Sequence, residues 1–94
     1  MAGRQFADVN CLMASRALRP ALVELGNRIY VRRAQLRMSQ YQLARLSGVD
    51  PTYMSGVEAG RRNVGTLILL RIAHALETTP GQLLDGLETY DLDT

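Results

Sequence analysis

Apolar residues recur every three or four positions along most of this 94-residue chain, the spacing of helices that bury one face. Val9, Leu12, Met13 and Ala17 form the first such stripe and predict a helix from Val9 to Leu18 with Asp8 as its cap. Residues 1–7 carry no structure signal. Pro20 suits a first helical position, where its missing N–H would have no partner anyway. Leu22, Leu25, Ile29, Arg33 and Leu36 then predict a helix from Pro20 to Arg37. Ser39 followed by Gln42 is a capping-box pair, and the helix it opens carries Leu43, Ala44 and Leu46 and ends at Gly48. Asp50 and Pro51 open the next one, which holds Tyr53, Met54 and Val57 and stops at Gly60. A further helix is expected from Gly65 or Thr66 to Leu76, and a short one from Pro80 to Leu84, capped by Thr79 and ended by Gly86. Nothing reads as a strand or a repeat, so the expected fold class is all-α.

Length and composition narrow the chemistry. Ninety-four residues make one domain. The single cysteine, Cys11, excludes an internal disulfide and a multi-cysteine zinc site, and the single histidine, His74, argues against a metal site or a catalytic triad. No apolar run is long enough to span a membrane, and Arg4, Asp8, Arg16 and Arg19 break up any secretory core. The expectation is a cytoplasmic, non-enzymatic protein with no cofactor. The net charge of +2 hides an asymmetry. All eleven arginines and four of the nine acids lie in residues 1–71, while residues 72–94 hold five acids and no base. A body of net +7 that faces a polyanion, with an acidic end, is one reading of that split. The absence of lysine is equally consistent with codon bias.

The segment from Gln40 to Val57 has what a helix-turn-helix requires: a small Ala44 at a close crossing, Gly48 at a tight bend, and a second helix with inner apolar and outer polar sides. With Leu25-Gly26-Asn27-Arg28-Ile29, Arg33, Ser39-Gln40, Leu43-Ala44, Gly48-Val49, Tyr53 to Glu58, Gly60, Leu69, Ala73, Leu76, Thr79-Pro80 and Leu83-Leu84, the chain resembles the Cro/phage-repressor type of regulator, the XRE family. The run Tyr53 to Glu58 followed by Arg61-Arg62-Asn63 is also similar to controller proteins of restriction–modification systems. The resemblance implies a compact five-helix, lambda-repressor-like DNA-binding domain over residues 20–86. Residues 1–19 would be an arm or short extra helix, and residues 87–94 an acidic, frayed tail.

The same resemblance implies how DNA is met. Residues 51–59 form the recognition helix in the major groove. Ser39 and Gln40 touch phosphate, Tyr53 reaches the backbone, and Pro51, Thr52, Ser55 and Gly56 face base edges. Apart from the resemblance, Tyr41 and Tyr53 could stack on bases, but at helix starts facing the duplex a hydroxyl-to-phosphate bond is the better reading. Arg61, Arg62 and Asn63 lie along the backbone or minor groove. Arg33 and Glu58 form a structural ion pair. Two departures stand out. Pro51 and Gly56 have no side-chain donor, so direct readout rests on Thr52 and Ser55, with affinity resting on phosphate contacts and DNA shape. In the long helix, Arg32 occupies a usually apolar position and Leu36 a usually polar one, as if the apolar face were slightly rotated.

Leu67 and Leu70 lie away from the core face of their helix, with His74 one turn on, so that helix is apolar nearly all round. Two surfaces could cover the stripe, the Val9–Ala17 segment or a second subunit. The family commonly dimerises through its last helix, which here adds Leu83, Leu84 and Leu87. The function expected is a sequence-specific transcriptional regulator that binds double-stranded DNA as a homodimer on a pseudo-palindrome, with RNA polymerase a possible partner. An antitoxin whose main partner is a toxin is the alternative. A helical adaptor without DNA is a third reading, against which the basic body counts.

Overall fold

Five helices follow one another through residues 19–92, the part of the chain that the computed structural model describes. They are α1 (Pro20–Gln35), α2 (Gln40–Ser47), α3 (Pro51–Glu58), α4 (Thr66–Ala75) and α5 (Pro80–Leu84), followed by a 3₁₀ turn at Leu87–Thr89. The helix expected from Val9 to Leu18 lies outside the described residues.

The helix starts follow from side-chain chemistry. Ser39 Oγ accepts the Gln42 N–H at 3.0 Å while Gln42 Oε1 accepts the Ser39 N–H at 2.8 Å, a complete capping box. Asp50 Oδ1 accepts the Thr52 N–H at 2.7 Å, and Thr79 Oγ1 accepts the Gln82 N–H at 3.0 Å. Prolines occupy the first turn of α1, α3 and α5. The helix ends share one geometry. After α1 the Arg37 N–H reaches Ala34 O and the Met38 N–H reaches Arg33 O. The same paired closure follows α2, α3 and α4. It needs a left-handed residue, supplied by Gly48 (φ 73°) and Gly60 (φ 81°), but also by Arg37 (φ 55°) and Glu77 (φ 56°). The sequence marked no glycine at those two, so it extended α1 to Arg37 and α4 to Leu76. Each helix stops sooner, at Gln35 and Ala75.

The core is the meeting of the inner faces. Leu25 and Ile29 of α1, Leu43 and Ala44 of α2, Met54 and Val57 of α3, and Leu69, Ile72 and Ala73 of α4 pack into one cluster closed by Leu76. Leu83 and Leu87 complete it, at 3% and 8% exposure. This corrects two expectations. Leu83 and Leu87 are core residues of the chain itself rather than free surface for a dimer, and Leu87–Thr89 is not frayed but closes over α1 in the 3₁₀ turn.

The apolar face of α1 is not rotated. Arg32 is polar at its position because it caps another helix: its Nε donates to Leu76 O at 2.8 Å and its Nη2 to Glu77 O at 3.1 Å, at the end of α4. Arg28 does the same for the end of α5, with Nη1 donating to Leu83 O at 3.0 Å and Asp85 O at 2.7 Å. Cations at helix C-termini are favourable both as donors and through the dipole. Leu36 packs half-buried against the core. α1 also crosses α3 closely. A Cβ on Gly26 would stand 2.4 Å from Glu58 O and 2.6 Å from Val57 O, and one on Gly60 would stand 2.7 Å from Val23 Cα. Backbone against backbone at that separation admits only glycine.

Candidate nucleic-acid interface

The turn between α2 and α3 is built from Gly48, whose left-handed backbone lets Val49 and Asp50 redirect the chain. With Ala44 buried against it, α3 lies across α2 and presents one side outward. Met54 and Val57 face the core. Pro51 and Thr52 are exposed and Ser55 is half-buried on the other side.

Glu58 fixes the far end of α3. Arg33 Nε donates to its Oε2 at 2.7 Å and Arg33 Nη2 to its Oε1 at 2.9 Å, a bidentate pair with side chains 14% and 7% exposed. Arg33 Nη1 donates to Met38 O at 2.9 Å, and its guanidinium carbon lies 5.3 Å from the Tyr30 ring centre. The hydrogen bonds from Arg33 to Glu58 hold the guanidinium above its ordinary pKa, against the desolvation that would lower it. Gln40 is drawn in too: its Nε2 donates to Glu58 Oε1 at 3.0 Å. The amide expected at phosphate is thus anchored through one N–H, and its second N–H remains to donate. The network therefore ties the start of α2 and the last turn of α1 to the end of α3.

Around this frame the expected contact residues fall as follows. Ser39 is exposed, and its hydroxyl hydrogen is uncommitted because the cap uses the oxygen as acceptor. Tyr41 is exposed and, with Arg45, Val49 and Pro51, lines a shallow niche of about 130 Å³ between α2 and α3. Arg61 and Asn63 are exposed in the loop after α3, where the Arg61 N–H bonds Gly56 O at 2.8 Å. Arg62 is exposed but folds back over α3: its guanidinium carbon lies 5.3 Å from the centre of the half-buried Tyr53 ring. Gly56 is buried beneath that side chain. No cluster of three metal-ligating side chains occurs among the described residues, and no helix there is long and apolar enough to cross a membrane.

Residues 29–83 match the family model described as helix-turn-helix. The chain belongs to the helix-turn-helix family of DNA-binding transcriptional regulators. It is similar to the control protein C.SmaI of Serratia marcescens, 45% identical over 47 residues that span 50% of this chain and 56% of that one. The matched stretch is thus little more than half of that relative's length. Among solved structures it resembles the restriction-modification controller protein C.AhdI from Aeromonas hydrophila, with 44% identity and a TM-score of 0.64 over 66% of this chain and 94% of that one. It also resembles the P22 c2 repressor in complex with a synthetic operator, with 32% identity and a TM-score of 0.63 over 66% and 94%. The lambda-repressor-like architecture read from the sequence is the one found.

Within that helix-turn-helix frame, sequence reasoning missed two things. It gave Gln40 no internal partner, although a glutamine at the start of α2 and a glutamate at the end of α3 both belong to crossing helices. It also treated Arg62 like Arg61. The signal that separates them is Gly56, an unfilled position one helical turn beyond Tyr53.

Proposed function

We propose that this helix-turn-helix regulator binds a specific duplex sequence as a dimer on a pseudo-palindrome, with α3 in the major groove. The observation that carries the proposal is the fixed presentation of α3. Its core side is locked by Met54, Val57 and the Arg33–Glu58–Gln40 network, while Thr52, Ser55 and the arginine loop face outward. Thr52 and Ser55 can each meet one base edge, and Thr52 a thymine methyl. Ser39, Gln40, Tyr41 and Arg61 supply donors for phosphate oxygens on either side. The P22 c2 repressor structure with its operator supports the docking, since the match covers 94% of the repressor chain in that structure.

One recognition helix spans only a few base pairs, so a two-fold pair of them on half-sites one turn apart is the economical solution. Of the leucines expected at a dimer surface, Leu67, Leu70 and Leu84 are 59%, 45% and 40% exposed and stay available. The similarity to C.SmaI and C.AhdI favours regulated genes within a restriction–modification system. An endonuclease or methyltransferase reading frame beside the gene is the expected neighbour, and a toxin frame there would favour the antitoxin reading instead.

Selection from a random duplex library tests the proposal. The expected outcome is one enriched two-fold motif with half-sites about 10 base pairs apart, bound with a steep salt dependence. Retention of no sequence above background, with binding indifferent to salt, would overturn it.

A further inference from the structure

We infer that Arg62 is a specificity-determining residue that reads a base, most favourably the guanine edge, at the step of α3 where Gly56 offers no side chain. The inference rests on the reading of α3 as the helix that enters the major groove.

Gly56 shares a side of α3 with Thr52 and Ser55, since residues three and four apart are neighbours on a helix. That side is open, yet Gly56 is buried. What covers it is not another helix. A Cβ built there would meet Arg62 Cγ at 2.9 Å, Nε at 3.3 Å and Cδ at 3.7 Å, and these are its three nearest neighbours. The stem of Arg62 therefore lies in the slot that the glycine leaves, and its guanidinium continues over the Tyr53 ring at 5.3 Å. No carboxylate pairs with Arg62 among the described residues, and the group remains exposed.

This placement sets the chemistry. A guanidinium held through its face keeps the donors in its plane directed outward. Those donors match the O6 and N7 acceptors of guanine in the major groove as a fork. Tyr53 and the slot hold the side chain in place before DNA arrives, so less rotamer freedom is lost on binding. Arg61, one residue earlier, has neither slot nor ring and remains a backbone contact. The two adjacent arginines thus have different jobs.

The test compares profiles rather than affinities. The parent protein is used to enrich a motif from a random duplex library. Duplexes with each base pair of one half-site replaced in turn are then titrated with the parent, Arg62→Ala, Arg62→Lys, Gly56→Ala and Arg61→Ala. One G·C pair should cost the parent about 5- to 100-fold when replaced. Arg62→Ala and Arg62→Lys should both become indifferent to that pair and keep the parent's penalties elsewhere, with lysine retaining the salt slope. Gly56→Ala, which pushes Arg62 out of the slot, should blunt the same pair. Arg61→Ala should shift the whole profile uniformly. Thermal unfolding of Arg62→Ala should stay cooperative and fall only slightly below the parent, since the stem over Gly56 and the ring contact are lost while the core is untouched. A profile for Arg62→Ala that runs parallel to the parent's at every position overturns the inference and leaves the DNA reading intact. A parent that enriches no motif overturns both.

Discussion

Arg33 and Glu58 are the residues on which the placement of α3 depends. Both are largely buried, they share two short hydrogen bonds, and Gln40 adds a third to the same carboxylate. Removing one partner leaves the other charge without compensation, which costs about 3–5 kcal/mol in buried pairs. Arg33→Met and Glu58→Gln should each lower stability by that order in urea unfolding. The double variant should lose less than the sum, and additive losses would mean that the pair is not coupled. Because the folded-state pKa of Arg33 is raised, its contribution is complete below the ordinary arginine range and fades only above it, so it stays constant through neutral pH. On the outer side of α3 the consequence is in recognition instead. Thr52→Ala and Ser55→Ala should change preference by about 1–3 kcal/mol at single base pairs. Arg61→Ala should weaken all duplexes alike and lower the salt slope by about one unit. Unchanged selectivity in both hydroxyl variants would place the reading surface elsewhere.

At the scale of elements, the helix starts were legible in the sequence and two of the four paired helix ends were not. Ser39, Asp50 and Thr79 advertise their caps because a short side-chain oxygen must reach a backbone N–H nearby. Gly48 and Gly60 likewise advertise left-handed backbone. Arg37 and Glu77 adopt that backbone without the residue type that signals it, at ends closed by the same paired hydrogen bonds. A left-handed conformation costs a residue with a Cβ roughly 1–2 kcal/mol, partly offset by the extra freedom of an unfolded glycine. Glu77→Gly should therefore raise stability by about 0.5–1 kcal/mol, read as a higher unfolding midpoint; the Arg32 bond to Glu77 O is to backbone and survives. Gly26 makes the opposite case. It was legible only as part of a resemblance, since its role is to let α1 touch the backbone of α3. Gly26→Ala should cost about 1–3 kcal/mol or more by overpacking. It should also impair DNA binding more than its stability loss explains, because the yielding element is α3. A variant with parent-like stability and binding would show that the crossing is looser than described.

For the whole molecule the proposed dimer turns on which exposed face a second copy would share. The exposed leucines of the pattern fall on two elements: Leu67 and Leu70 on α4, and Leu84 on α5. Leu84 borders an apolar groove that Leu22, Leu69 and Leu92 also line, so a partner leucine placed there would be buried on arrival. Burying one leucine contributes about 1.5–3 kcal/mol. A two-fold interface uses the same patch on both subunits, so one substitution acts twice. The loss on Leu84→Ser is then roughly 3–6 kcal/mol per dimer, or more than a hundredfold in dimer affinity. Sedimentation at micromolar concentration should show that variant shifted to monomer, with its core unchanged because Leu83 and Leu87, not Leu84, complete the fold. Binding to a full two-fold operator should weaken in parallel, while binding to an isolated half-site should not. The Leu67→Ser/Leu70→Ser pair asks the same of α4. If both variants sediment as the parent does, the two-fold contact avoids α4 and α5, and the pairing of half-sites must come from another face.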